Sequence, residues 1–227
     1  MTLRYERSLL VDGFGTEGQA RLSRAKVAVV GCGGLGSAAL SYLAAAGVGA
    51  LSIADGDTVS LSNLQRQVLY TTEQIGRRKA TCAAERLRAI NPDVDIAVHN
   101  LFIDVDNFPD IADGADLIID CTDNYRTRYT LSKLCKEHGK PFIYATAEQM
   151  GGQVALFTPR CRTYYHDLFP EPAPQRPVVG VLPPLPGIIG AIEAAEAIKY
   201  LSKTGETLEG RLLVTDFREM RFDIFEL

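Results

Sequence analysis

The chain has 227 residues, of which 46% are hydrophobic and 23% charged, so it can bury a sizeable core, and one domain is the default. A net charge of −4 gives neither nucleic acid nor an anionic membrane an electrostatic reason to bind. No apolar run approaches the ~20 residues that a bilayer span needs, and Met1–Gly15 carries charges throughout, so no signal peptide and a cytoplasmic location are expected. The five cysteines, Cys32, Cys82, Cys121, Cys135 and Cys161, form no C-x-x-C pair. They are expected to be free thiols, not a tetrathiolate zinc site.

In chain order, Val27–Val30 predicts a strand and Ser37–Ala46 an alanine-rich helix. Ala50–Ala54 is a second strand, and Arg77–Ile90 a helix stopped by Asn91-Pro92. Val94–Val98 and Leu117–Ile119 are further strands, Arg126–His138 a helix closed by Gly139, and Phe142–Ala145 a fifth strand. Gln153–Phe157 predicts a strand at the far side of the sheet. Residues 158–187 hold eight of the eleven prolines and predict a crossover loop without regular structure. Ile188–Leu201 resumes as an apolar helix, and Leu212–Thr215 and Met220–Phe225 predict two closing antiparallel strands. The expected fold is α/β and Rossmann-like: a mostly parallel sheet with helices on both faces and an antiparallel C-terminal extension, in a single domain over 1–227.

The first motif, Gly31-Cys32-Gly33-Gly34-Leu35-Gly36, lies between a predicted strand and a predicted helix. Gly31, Gly33, Gly34 and Gly36 allow a tight turn, backbone approach to phosphate and close packing of helix on strand. The helix N-terminus then offers free N–H groups and a positive dipole end to an anion. Asp55 follows Gly36 by nineteen residues, where it can accept hydrogen bonds from ribose hydroxyls. Just beyond it, Asn63-Leu64-Gln65-Arg66-Gln67 presents a cation with amides, which suits a triphosphate and the charge that develops at phosphorus. Lys79 adds a second positive charge or is a solvated helix lysine. Asp57 faces a metal or holds its turn. Asp120-Cys121-Thr122-Asp123-Asn124 sits at the carboxyl end of a strand, where Asp123 can hold Mg²⁺ against phosphates; Asp123 or Asn124 caps the next helix, and Asp123 can do both.

Together with Arg4-Tyr5-Glu6-Arg7, Gly76-Arg77-Arg78-Lys79-Ala80, Asn91-Pro92 and Gly187-Ile188-Ile189-Gly190, these ordered motifs resemble the MoeB/ThiF/HesA family of the ubiquitin-activating enzyme superfamily. The resemblance covers almost the whole chain. It implies a Mg-ATP-dependent adenylyltransferase. Its substrate would be the C-terminal carboxylate of a small ubiquitin-like (β-grasp) sulfur carrier ending in Gly-Gly, of thiamin or molybdopterin type. By position, Gly33 and neighbouring backbone hold phosphates, Asp55 holds ribose, Asn63, Arg66 and Lys79 contact phosphates, and Asp123 binds Mg²⁺. Arg7 resembles an arginine that reaches the triphosphate from the other subunit of a homodimer.

Two departures stand out. Members of the MoeB and ThiF type usually carry two C-x-x-C pairs for zinc; where the first would stand the chain reads Tyr164-Tyr165-His166-Asp167, and no second pair occurs before Leu227, so no zinc is expected. Some members carry a crossover cysteine that takes the carrier onto sulfur; the corresponding position is about Arg176, and Cys161 is the only crossover thiol. The alternatives are a ThiF-fold enzyme that adenylates a different carboxylate or acts on a modified nucleoside, a non-catalytic carrier-docking partner, and an NAD-dependent dehydrogenase.

Overall fold

The computed structural model describes residues 3–169 and 179–227. Its strands are β1 (Lys26–Val30), β2 (Ala50–Ala54), β3 (Asp95–His99), β4 (Leu117–Asp120), β5 (Phe142–Glu148), β6 (Gly151–Phe157), β7 (Arg211–Asp216) and β8 (Arg221–Glu226). They form one sheet in the order β3-β2-β1-β4-β5-β6-β7-β8. The first five are parallel, and β6, β7 and β8 extend the sheet antiparallel to their neighbours. The helices are α1 (Glu6–Leu9), α2 (Gly15–Leu22), α3 (Gly34–Ala46), α4 (Lys79–Ile90), α5 (Phe108–Ala112), α6 (Tyr125–Glu137), α7 (Tyr165–Leu168) and α8 (Leu185–Ser202). The Rossmann-like expectation is met, and among the described residues no helix is long and apolar enough to cross a membrane.

The central strands are apolar at successive positions because both of their faces are covered. Val27 and Val29 of β1 pack with Leu40, Leu43, Leu87 and Ile189 on the face carrying α3, α4 and α8. Ala28 and Val30 turn the other way, onto Phe108, Ile111 and Leu131 of α5 and α6. Leu117 and Ile119 against Ile118 repeat this period of two in β4.

Three details differ from the sequence reading. β6 lies beside β5 as a hairpin partner, and β7 and β8 continue the sheet past it, so β8 and not β6 is the edge. The segment 158–187 is not free of regular structure. Residues 160–169 contain no proline and form α7, whose Asp167 carboxylate accepts from the Tyr164 amide at 3.0 Å. α8 begins three residues earlier than expected: Pro184 and Pro186 occupy the helix start, where a missing N–H costs nothing. The position of Arg176 lies outside the described residues. Short helices α1, α2 and α5 have too few periodic residues to stand out from the sequence.

Inside the sheet–helix layer, α8 places Glu193 fully buried. Its Oε2 accepts from the Cys121 thiol at 3.5 Å, while Oε1 has no partner among the described residues. Burial, with the Asp120 charge nearby, pushes the Glu193 carboxyl well above the ordinary carboxylate range. In the unfolded chain the same group ionises near its ordinary value, so stability that is complete below that value is lost as pH rises toward the folded-state value. Replacing Glu193 by Gln keeps the shape and removes the titrating proton. Urea unfolding from pH 5 to pH 8 is expected to show a smaller loss of stability with rising pH in Glu193→Gln than in the wild type. One proton held in the folded state and lost in the unfolded state makes that difference up to about 1.4 kcal/mol for each step of one in pH.

Candidate functional site

The chain leaves β1 toward β2 and β3 on one side, then returns to β4 and β5 on the other, which opens a crevice at the carboxyl ends of β1 and β4. The glycine motif fills its rim. Gly31 has φ +96°, and a Cβ there would sit 2.7 Å from the Cys121 carbonyl oxygen at the end of β4. A Cβ on Gly36 would run into the Gly31 carbonyl oxygen. Gly33 is the N-cap of α3 and Gly34 its first residue, so the unpaired N–H groups and positive dipole end of α3 face the crevice.

The turn is held from two directions. The Cys32 amide donates to Asp55 Oδ2 at 2.7 Å, and the Asp57 amide donates to Asp55 Oδ1 at 2.8 Å. The Tyr70 hydroxyl donates to the Cys32 carbonyl at 2.7 Å. Asp55 thus fixes the glycine turn to the end of β2 and keeps further acceptor capacity for a ribose hydroxyl.

The second motif comes beside the first. Leu61–Asn63 form one 3₁₀ turn, and the Asn63 carbonyl accepts from the Arg66 and Gln67 amides at 3.1 and 3.0 Å. This winds Gln67 Nε2 to 3.5 Å from a Cβ placed on Gly33, and Arg66 Cγ to 3.7 Å from one placed on Gly34. Gln67 is buried, and its Oε1 has no partner among the described residues. Arg66 Nη1 donates to the Ser62 carbonyl at 3.2 Å, and no carboxylate among the described residues pairs with it. Lys79, the first residue of α4, is 5% exposed, and its Nζ lies 3.1 Å from Asp57 Oδ2. Lys79 is therefore no solvated surface lysine, and Asp57 is its partner.

At the end of β4, Asn124 and not Asp123 caps α6: Asn124 Oδ1 accepts from the Arg126 and Thr127 amides at 2.9 and 3.2 Å. Asp123 is exposed, and no partner for it occurs among the described residues. The turn before it is fixed by Asp120, whose Oδ1 accepts from the Thr122 amide and hydroxyl at 2.9 and 2.6 Å. Arg128 completes the turn: Nε donates to Asp120 Oδ2 at 3.2 Å and Nη2 to the Thr122 carbonyl at 2.9 Å. Burial pushes the Asp120 carboxyl up, against the opposing pull of Arg128 and Thr122. Tyr70 and Arg128 belong to this site and no motif pointed to them. The one available signal was that Arg128 stands five residues after Asp123, on the face of a helix that leaves the crevice.

Arg7 does not join the cluster. Tyr5, two residues earlier, accepts from Asn91 Nδ2 at 2.9 Å and lies against Gly47, at the far end of α3. With 13 residues, α3 is about 20 Å long, and the glycine turn is at its other end. Cys161 is half-buried and accepts from the Thr158 amide at 3.3 Å.

The crevice fits a nucleoside triphosphate: at Gly33 the missing side chain leaves the backbone open beside the Gln67 amide nitrogen, and two cations, Arg66 and Lys79, lie near a helix N-terminus. A single free carboxylate at Asp123 fits Mg²⁺, which keeps several waters and takes one or two carboxylates together with phosphate oxygens. No group of three metal-ligating side chains occurs among the described residues.

The chain is 41% identical to the SAMP-activating enzyme E1 of Haloferax volcanii, over 97% of this chain and 83% of that protein. It is 42% identical to the sulfur carrier protein adenylyltransferase of Thermus thermophilus, over 96% of this chain and 84% of that one. It is also 42% identical to the molybdopterin-synthase adenylyltransferase of Salmonella typhimurium, over 96% and 92%. Among solved structures, E. coli MccB with ATP superposes with a TM-score of 0.87 at 23% identity, over 100% of this chain and 72% of MccB, which speaks for the fold. The ThiF family profile matches residues 5–227, and the chain belongs to the ThiF family.

Proposed function

We propose that the protein is an adenylyltransferase of the ubiquitin-like modifier activating type. It would activate the C-terminal glycine carboxylate of a small β-grasp sulfur carrier ending in Gly-Gly, of thiamin or molybdopterin type. The observation that carries this reading is the approach of Arg66 and Gln67 to the glycine turn, with the buried Lys79 held by Asp57 next to the Asp55 that fixes that turn. A hydride-transfer site has no need of two cations there, whereas a triphosphate with a developing charge does. Residues 1–227 act as one adenylation domain in the cytoplasm.

The chemistry asks little of the protein beyond positioning. A carrier carboxylate oxygen forms a bond to the α-phosphorus of ATP in line with the departing group. The bond between that phosphorus and the oxygen bridging to the β-phosphate breaks, and pyrophosphate leaves with the electron pair. The attacking carboxylate is already ionised, so no general base is needed. Gly33, Gly34 and the start of α3 seat phosphate oxygens, Asp55 orients the ribose, and Asn63, Arg66 and Lys79 offset the charge that moves toward pyrophosphate. Asp57 keeps Lys79 aimed at the crevice. Asp123 would hold Mg²⁺, which would supply charge neutralisation to the triphosphate.

The place of Arg7 at the far end of α3 supports a homodimer in which Arg7 of the partner subunit completes each site. Such an arrangement is isologous, so each dimer has two sites, each built from both chains.

ATP–pyrophosphate exchange with a Gly-Gly-ended carrier is expected, and Arg66→Ala should lower its rate by about 10²-fold or more. Exchange that needs no carrier and proceeds with a short peptide would instead point to a different carboxylate. Mixing Arg7→Ala with Arg66→Ala chains is expected to restore about a quarter of wild-type exchange, since half the dimers are mixed and each has one intact site. Mixtures as inactive as their parents would exclude a partner-supplied Arg7.

A further inference from the structure

Arg128 is 1% exposed and is the most deeply buried cation among the described residues. Its guanidinium edge is spent on the turn before Asp123, on Asp120 Oδ2 and the Thr122 carbonyl. Its faces are covered by the rings of Tyr125, Tyr144 and Tyr165, with centroids 5.2, 5.1 and 5.9 Å from Cζ. Tyr125 opens α6, on the same rim as Asp123, and Tyr144 lies on the neighbouring strand β5. Tyr165 comes from 37 residues away, on α7 in the crossover. A guanidinium can use its edge and both faces at once, which an ammonium cannot.

α7 is itself fastened to α6. The Ser132 hydroxyl and His166 Nδ1 are 2.8 Å apart, and the His166 amide donates to Ser132 Oγ at 3.3 Å. Lys136 Nζ donates to Asp167 Oδ2 at 2.8 Å and lies 5.3 Å from the Tyr164 ring. Each residue from Tyr164 to Asp167 therefore touches α6, and only Tyr165 reaches the residue that shapes the metal-side turn.

We propose that Arg128 is a positioning residue through which α7 of the crossover sets the geometry of the Asp120–Asp123 turn, so that the crossover controls how well Asp123 holds Mg²⁺ on the nucleotide. The inference rests on the reading of Asp123 as the Mg²⁺ carboxylate. The coupling is local and physical: removing the Tyr165 ring uncovers one side of the guanidinium, admits water, and relaxes both hydrogen bonds that pin the turn. Ser132, His166, Lys136 and Asp167 would still hold α7 in place.

The test is calorimetric titration of ATP into the full chain with and without Mg²⁺, with no carrier present. The quantity read is the factor by which Mg²⁺ tightens ATP binding. Tyr165→Leu is expected to reduce this factor about 3- to 10-fold while leaving the Mg²⁺-free Kd unchanged. Tyr165→Phe, which keeps the ring against the guanidinium, should keep the wild-type factor. A Tyr165→Leu protein with the wild-type factor, or one that loses ATP affinity equally with and without Mg²⁺, overturns the coupling. Asp123→Asn separates the two levels. If it leaves the Mg²⁺ factor intact, the reading of Asp123 fails and the coupling with it. If it abolishes the factor while Tyr165→Leu does not alter it, the coupling alone fails. Should Tyr165→Leu unfold, Arg128→Lys replaces it, with the same expected loss in the Mg²⁺ factor.

Discussion

The close approach of the ends of β1 and β4 governs the rest of the molecule. Gly31 can lean on the Cys121 carbonyl only because it has no side chain and tolerates a left-handed φ. That contact sets where α3 begins, and with it the direction of the amides that face the crevice. Asp55 then ties the same turn to β2, and Tyr70 ties it to the segment that carries Arg66 and Gln67. Three separately coded stretches of chain are thereby referred to one backbone turn. A binding site built in this way inherits the rigidity of the sheet and not the softness of its loops.

The charges around the crevice are arranged by depth. Lys79 and Arg128 are sealed in and each has a carboxylate partner, Asp57 and Asp120. Arg66 and Asp123 stand nearer the solvent, and among the described residues neither has such a partner. The fully buried Arg128–Asp120 pair costs desolvation and gives little net stability, but it fixes position, and the exposed Asp57 carboxylate does the same for the buried Lys79. The outer groups keep their full attraction for a ligand. This division lets one set of residues hold shape while another meets charge.

Much of this was legible in the residues. The glycine motif, the acid nineteen residues later and the βαβ alternation name the fold because each follows from a local steric or periodic demand. Lys79, Arg66 and Gln67 were legible as a group, because adjacent polar residues downstream of a ribose acid have few structural reasons to cluster. What was hidden depended on distant contacts. Nothing in the spelling of Arg128 says that Tyr165 will cover it, and nothing in Tyr164–Asp167 says that a single helical turn will dock on α6. Prolines on either side disguised that turn, since proline density argues for a loop without saying which four residues escape it. Whether Asp123 or Asn124 would cap α6 was open on the same grounds; the side-chain geometry assigns the cap to Asn124 and so releases Asp123.

The five thiols sort in a way that composition alone does not reveal. Cys32, Cys82, Cys121 and Cys135 are buried, and burial pushes each of them up, so little reactive thiolate forms at neutral pH. Cys32 and Cys121 line the crevice from behind and are thereby shielded from oxidants and alkylating reagents. Cys161, at the start of the crossover, is the one that solvent reaches. The wild-type chain thus carries a natural attachment point for a single fluorophore or spin label, a few residues from α7 and remote from the phosphate-binding turn, without any cysteine having to be removed.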